Sequence, residues 1–281
     1  MASNFRMLEK QTRNQPLISV ITPSYNQAEF LEENILSVKN QDYPNIEHII
    51  IDGGSKDGSL EIIERYANDL TWISEPDNGQ SHAINKGFKM AKGEIIGWIN
   101  SDDYYLPRAV GNAIDVLTAN SGVDLVYGYC AKVNENSHQT GLFKSPEFDR
   151  KLLFSNPNVI YQPAVFFRKA LLDKVGLLDE SLHYAMDFDL WVRMAKASDF
   201  KLIPEALAAF RFSSGCKSVA DSQKFWQEVD GILRKNDDLN ISRFYLALHK
   251  SKMVHMVWDR IRSPLLMKVR NRLFGFWDSD N

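Results

Sequence analysis

The sequence predicts an α/β fold, a mostly parallel sheet flanked by helices and followed by a helical C-terminal extension. Two patterns carry that expectation. From residue 17, short apolar runs of strand length alternate with segments whose apolar residues recur at helical spacing. Polar and glycine residues collect in the turns that follow the strand-like runs, where an open parallel sheet binds its ligands. Composition agrees: of 281 residues, 44% are hydrophobic and 25% charged, which excludes collagen-like, disordered and low-complexity chains.

The elements follow in order. Leu17–Thr22 reads as a buried strand closed by Pro23, and Ala28–Asn40 as a helix with Phe30, Leu31, Ile35 and Val38 on one face. Ile46–Ile51 is a second strand, ended by Asp52-Gly53-Gly54, and Gly58–Asn68 a second helix. Thr71–Ser74 is a third strand, and Ser81–Lys92 a helix stopped by Gly93. Glu94–Asn100 is a fourth strand, and Pro107–Asn120 a helix with proline near its first turn. Strand–helix alternation of this kind implies a sheet covered on both faces. Beyond Val123–Cys130 the rhythm loosens, with strands at Val159–Arg168 and Ala206–Phe212 and a helix at Asp187–Ala197. Three parts are expected: a segment 1–16, a catalytic domain 17–216, and a helical, basic amphipathic extension 217–281.

Several classes are excluded or disfavoured. Cys130 and Cys216 cannot form a disulfide framework or a four-ligand zinc site. Residues 1–16 lack the apolar core of a secretory signal, and no apolar run reaches the ~20 residues of a membrane span. A cytoplasmic location is expected. The net charge of −3 hides an asymmetry. Residues 241–277 hold eight Lys or Arg against Asp259, while residues 1–240 total −8. Interleaved apolar residues give that stretch the make-up of a helix lying on an anionic membrane, on the inner face of the cytoplasmic membrane. A terminal helix packed on the main domain is the alternative. Nucleic acid is not an expected partner, because an acidic body opposes a polyphosphate.

The chemistry-bearing residues fall in the post-strand loops. Asp52-Gly53-Gly54-Ser55 fits a tight turn, but a carboxylate directly after a strand is also placed to meet a base. It matches neither a Walker A loop nor a dinucleotide fingerprint, which disfavours a nicotinamide oxidoreductase. Asp102-Asp103 is the sharper signal. Two adjacent carboxylates repel, and a hard divalent cation, Mn2+ or Mg2+, offsets that cost and would neutralise a diphosphate. One of them alone would serve as a helix cap. His48 reads as structural, whereas His82, His183 and Arg211 are candidate phosphate or sugar contacts.

Ile18-Ser19-Val20-Ile21-Thr22-Pro23-Ser24-Tyr25-Asn26, Ile51-Asp52-Gly53-Gly54-Ser55-Lys56-Asp57-Gly58-Ser59 and Asn100-Ser101-Asp102-Asp103 together resemble the core of family 2 glycosyltransferases. Asp77-Asn78-Gly79-Gln80-Ser81 with Ala83-Ile84-Asn85-Lys86-Gly87, and Met186-Asp187-Phe188-Asp189-Leu190-Trp191-Val192-Arg193, resemble two further signatures. The resemblance implies the Rossmann-like GT-A fold. It implies that a nucleotide-diphosphate sugar, UDP-sugar favoured, meets Thr22, Pro23, Tyr25, Asn26, Asp52, Gly54, Gln80, Asn85, Asn100, Ser101 and Asp102. Metal would rest on Asp102, Asp103 or both, since Asn100 stands where the family's first aspartate does. Asp187 aligns with the catalytic base, with Met186 in place of an acidic neighbour. Ser213 stands where relatives often place a histidine. The implied activity is inverting transfer of a sugar to a hydroxyl of a glycan or lipid-linked acceptor in polysaccharide biosynthesis. The three departures leave open a regulatory relative that binds the nucleotide sugar without transferring it.

Overall fold

The computed structural model describes residues 15–212 and 222–236. The order is β1 (Ile18–Ser24), α1 (Ala28–Lys39), β2 (Ile46–Asp52), α2 (Ser59–Arg65), β3 (Thr71–Ser74), α3 (Gln80–Met90), β4 (Ile95–Trp98), β5 (Tyr104–Tyr105) and α4 (Ala109–Ala119). There follow β6 (Val123–Val133), β7 (Gln139–Phe143), α5 (Arg150–Ser155), two 3-10 turns (Pro157–Val159 and Gln162–Ala164), β8 (Val165–Arg168), α6 (Ala170–Val175), α7 (Met186–Ala197), β9 (Asp199–Arg211) and α8 (Ser222–Lys235). One sheet runs β3-β2-β1-β4-β8-β6-β9-β5, with β7 paired to β6. β1, β2, β3 and β4 are parallel neighbours, β8 joins antiparallel to β4 and β6, and β6 runs parallel to β9.

Alternation sends successive side chains to opposite faces, and both faces are covered. Ile49 and Ile51, Leu125 and Tyr127, and Phe167 share one core with Phe88 of α3, Trp191 of α7 and Val229 of α8. Val126 and Phe166 pack in a second core with α4, and Ile50 in a third with α1 and α2. The parallel half therefore matches the sequence expectation, and the mixed half is where it loosened. The strands β5 and β7 and the short helices α5 and α6 were not anticipated. The run Val159–Arg168 is a strand only from Val165 onward, because 3-10 turns occupy what precedes it.

Two punctuation residues behave differently from expectation. Pro23 lies inside β1, paired with Ile51. Leu17 and Ile21 give their carbonyls to Ile95 and Ile99, so odd-numbered residues of β1 face β4. The next rung of that ladder would need the N–H that Pro23 lacks, so the pairing of β1 with β4 ends with Ile21 opposite Trp98. Gly93 does not cap α3, which stops at Met90. It is needed for close approach instead: a Cβ there would meet the main-chain Ser19 N at 2.6 Å and Leu17 O at 2.7 Å.

Gly93→Ala should lower unfolding stability by about 1–3 kcal/mol in urea titrations, since backbone must give way. Gly141→Ala, whose Cβ would meet nothing nearer than 3.8 Å, should stay within about 0.5 kcal/mol of the parent. Equal effects at the two positions would contradict the close-approach account.

Candidate functional site

The ends of β1, β2, β3 and β4 open into a cleft of about 1060 Å³. One wall comes from Pro23, Ser24 and Tyr25, from Gly53, from Pro76, Asp77, Gly79 and Gln80, and from Asn100, Ser101 and Asp102. His183, Tyr184, Met186, Asp187 and Phe188 form the floor ahead of and within α7. The far wall is largely aromatic, with Phe143, Tyr161, Phe210, Phe212, Phe225 and Trp226 beside Lys132. Sequence reading did not find that far wall, because its aromatic residues come from four separate places in the chain and none forms a motif. Tyr25, 62% exposed, projects a ring at the rim, where a flat ligand can stack.

The loop after β4 is held from behind. Asn34 of α1 donates its amide hydrogens to the carbonyls of Asn100 and Asp103, each at 2.9 Å. The Asn34 oxygen accepts from the Thr22 hydroxyl at 3.2 Å, and Thr22 also lies 3.0 Å from His48 Nε2. Burial pushes His48 down to about 3, so it is neutral. With Thr22 donating to Asn34, the His48 ring N–H donates to Thr22. Thr22 is thus fully buried and supports the loop rather than lining the cleft.

The same loop explains Asn100. Its oxygen accepts from Gln80 Nε2 at 2.8 Å and Trp98 Nε1 at 3.0 Å, while its amide nitrogen donates to Gln162 at 3.2 Å. An ionised aspartate could accept the first two bonds but not make the third.

The adjacent acids have opposite surroundings. Asp102 lines the cleft, and its carbonyl accepts from Arg211 Nε at 2.9 Å. Asp103 is 1% exposed, points inward and accepts from the Arg211 backbone N–H at 2.9 Å, while its other oxygen has no hydrogen-bond partner. Burial, then the neighbouring Asp102 charge, pushes the Asp103 carboxyl well up. Among the described residues no group of three His, Cys, Asp or Glu is gathered to hold a metal ion. A single cleft carboxylate nevertheless fits Mg2+ or Mn2+ that arrives with substrate phosphates and keeps several waters. Of the two, Asp102 is the one that lines the cleft and could hold such an ion, while Asp103 ties the loop to Arg211.

Other expected contacts are not among the residues that line the cleft. Asp52 is fully buried and accepts from the backbone N–H of Gly54 (3.0 Å) and Ser55 (2.9 Å) and from the hydroxyls of Ser55 (2.5 Å) and Ser74 (2.7 Å). Gly54, at φ +81°, makes that turn. Asn26 takes a backbone bond from Lys56 at 3.0 Å. Asn85 pins Leu178 through both main-chain groups. His82 Nδ1 accepts from Asn78 N at 3.1 Å, shaping the turn before α3. Arg211, 2% exposed, spends its guanidinium on the carbonyls of Asp102, Asn134 and Glu135 and on Glu33, with its plane 4.3 Å from the Phe30 ring centre. It is a clamp between loops. Ser213 and the stretch 241–277 lie outside the described residues.

Asp187 opens α7 facing the cleft. Desolvation pushes its carboxyl up to about 6, opposed by the Phe188 N–H bond (2.8 Å) and assisted by the charge of Glu228. Asp189, two residues on, is spent structurally: Arg193 bonds it at 2.8 Å and also holds the carbonyls of Val175 and Leu177. Glu228 was not anticipated. Its carboxylate accepts from the backbone N–H of His183, Tyr184 and Ala185 at 2.9, 2.8 and 2.8 Å.

Comparison with known proteins adds the following. Residues 19–176 match the family described as glycosyl transferase family 2. An uncharacterized glycosyltransferase of Rickettsia typhi is 31% identical over 210 residues, spanning 72% of this chain and 66% of its own length. One from Mycobacterium tuberculosis is 31% identical over 231 residues, spanning 80% and 84%. The chain therefore spans just under two thirds of the Rickettsia typhi relative. Among solved structures, S. aureus TarS 1–349 in complex with UDP-GlcNAc aligns with TM-score 0.67 at 21% identity, over 88% of this chain and 76% of that one. The mannosyltransferase PcManGT from Pyrobaculum calidifontis, in complex with GDP-Man and Mn2+, aligns with TM-score 0.62 at 20% identity, over 95% and 82%. At such identities the likeness is one of fold.

The Asn34 bonds can be tested without any ligand. Asn34→Ala should cost about 2–4 kcal/mol in chemical denaturation, because two buried carbonyls and the Thr22 hydroxyl lose partners together. A loss below about 0.5 kcal/mol would mean the loop does not depend on α1.

Proposed function

The chain belongs to glycosyl transferase family 2 and has the GT-A fold, and on that premise we propose that it is an inverting transferase using a nucleoside-diphosphate sugar. One observation carries the proposal: Asp187, with a carboxyl pushed up to about 6, faces the cleft that Asp102 also lines. A base of that strength is ionised at neutral pH yet basic enough to take a proton. It also favours a working enzyme over a relative that only binds.

In the proposed reaction the donor lies along the wall of Pro23, Tyr25, Gln80, Asn100, Ser101 and Asp102. UDP is the favoured nucleotide, and a glycan or lipid-linked acceptor enters from the aromatic wall. Asp187 accepts the proton of the acceptor hydroxyl as its oxygen attacks the anomeric carbon. The bond to the diphosphate breaks on the opposite face, its electron pair leaving with the nucleoside diphosphate, and configuration inverts. The tie of Asn100 to Gln80, Trp98 and Gln162 fixes the wall against which the donor is oriented. A divalent ion, when bound at Asp102, supplies Lewis-acid neutralisation of the leaving diphosphate. A role in surface-polysaccharide assembly, with peripheral attachment to an anionic membrane through 241–277, is part of the same proposal and rests on sequence. Among the described residues no helix is long and apolar enough to cross a membrane.

Asp187→Asn should cut transfer by about 10²–10⁴-fold while nucleotide binding persists; retained turnover would remove Asp187 from the role. The same variant reports on stability. A carboxyl raised from 3.8 to about 6 binds protons more readily when folded, so stability falls as pH rises through that window. The full penalty, at most about 3 kcal/mol, is present above pH 6. Asp187→Asn should therefore melt higher than the parent at pH 7.5 and no higher at pH 4.

A thermal-shift panel of UDP- and GDP-sugars, with and without Mn2+, tests the donor, because a ligand that binds the folded state raises Tm. Asp102→Ala should abolish the Mn2+-dependent part of the shift, and Asp103→Asn should keep it. The reverse result would assign the metal to Asp103.

A further inference from the structure

α8 follows the residues matched by the family, which end at 176, yet it reaches the centre of the site. It is amphipathic. Val229, Ile232 and Leu233 enter the core shared with α7 and the sheet, and Phe225 and Trp226, one turn earlier, line the cleft. Between those two sets stands Glu228. The residue before α7, Ala185, has no side chain able to cap the helix. The segment 183–185 would otherwise leave three successive N–H groups without acceptors at the point where the chain turns toward Asp187.

We propose that Glu228 is a positioning residue for the transfer reaction, a cap supplied from α8 that holds the 183–185 backbone and thereby aims Asp187 into the cleft. The inference rests on the role of Asp187 proposed above. Three bonds of 2.8–2.9 Å from consecutive N–H groups to one carboxylate define the backbone direction. Hydrogen bonds to a charged acceptor are about twice as strong as neutral ones. A carboxylate also suits the positive end of the helix dipole. It has a second consequence, since a negative charge behind Asp187 favours the protonated form of that carboxyl. The other charged and titratable groups around Asp187 are His183 and Tyr184 in the same loop and Asp77, Asp102, Tyr161 and Lys132 across the cleft. Asp189 and Arg193 on α7 are paired to one another, and Lys224 on α8 sits 6.0 Å from the Tyr184 ring centre. Glu228 is distinct among them in reaching that backbone from outside the cleft.

The test uses full-length Glu228→Gln, Glu228→Ala and Asp187→Asn proteins. Amide hydrogen exchange read on a peptide covering 183–188 should accelerate at least tenfold in Glu228→Ala, with peptides from β1 and β4 unchanged. Nucleoside-diphosphate release, from whichever of UDP-N-acetylglucosamine, UDP-glucose and GDP-mannose the parent cleaves fastest with Mn2+, should show kcat lowered roughly 10–100-fold and KM changed less than threefold. In Glu228→Gln the acidic limb of the pH profile should move down by roughly half a unit. Asp187 titration followed by NMR gives the same reading if no donor is turned over. Parent-like exchange over 183–188 in Glu228→Ala would overturn the proposal, as would a parent-like titration in Glu228→Gln. General acceleration of exchange in β1 and β4 would also overturn it, because Glu228 would then be a global stabiliser. Full activity in Asp187→Asn, with accelerated exchange in Glu228→Ala, would instead sink the base assignment and leave the cap standing.

Discussion

The site depends on two hydrogen bonds from one amide. Asn34 reaches from α1 under the end of β4 and takes the carbonyls of Asn100 and Asp103. A four-residue loop held at both ends has little freedom between them, so Asp102 is presented to the cleft while Asp103 turns in. The amide is itself oriented by Thr22, and Thr22 by His48, so the fixing runs from β2 through β1 and α1 to the cleft edge. Each bond contributes on the order of 1 kcal/mol net. The larger effect is specificity, because a buried polar chain of this kind tolerates only the arrangement that satisfies every member.

The acids divide by what surrounds them. Asp52 accepts four bonds at the end of β2 and shapes a turn. Asp103 braces Arg211, and Asp189 holds Arg193. Asp102 and Asp187 instead line the cleft. Adjacent or near-adjacent carboxylates thus take opposite parts, one building the frame and one presented by it. Arg211 shows the same division: a cation at the site edge is fully engaged in joining the 102–103 loop to the 134–137 turn and α1.

Much of this was legible in the sequence, for physical reasons that can be named. The alternation over β1 to β4 is a period signal, set by burial on both faces of a parallel sheet. The strand-end position of Asp102 and the first-turn position of Asp187 follow from those periods and from the resemblance. What sequence could not reveal is which polar residues of a motif face outward. Thr22 and Asn26 stand within one short run with Tyr25, yet Thr22 is buried, Tyr25 is exposed and Asn26 is tied to a neighbouring loop. β5 and β7 are too short and too polar to carry a period. The aromatic wall and Glu228 are brought in by tertiary folding alone, and the expected helical extension 217–281 said nothing of what its first helix packs on.

Charge bears on the proposed use of a cation by this cleft. Asp77, Asp102 and Asp187 line it, and among the described lining residues Lys132 supplies the fixed positive charge. That ammonium lies 4.2 Å from the ring centre of Phe212, on the far wall. A nucleoside diphosphate brought to Asp102 without a counter-ion would set its phosphate charges against a carboxylate that the loop cannot turn away. The loop's rigidity, imposed by Asn34 and Arg211, makes that repulsion unavoidable. In the proposed reaction Asp102 would hold a divalent ion that offsets it, and a single carboxylate would hold that ion only weakly on the empty protein. On that proposal donor and metal should bind as a unit, each tightening the other, with Asp187 kept apart from the metal for the proposed proton transfer.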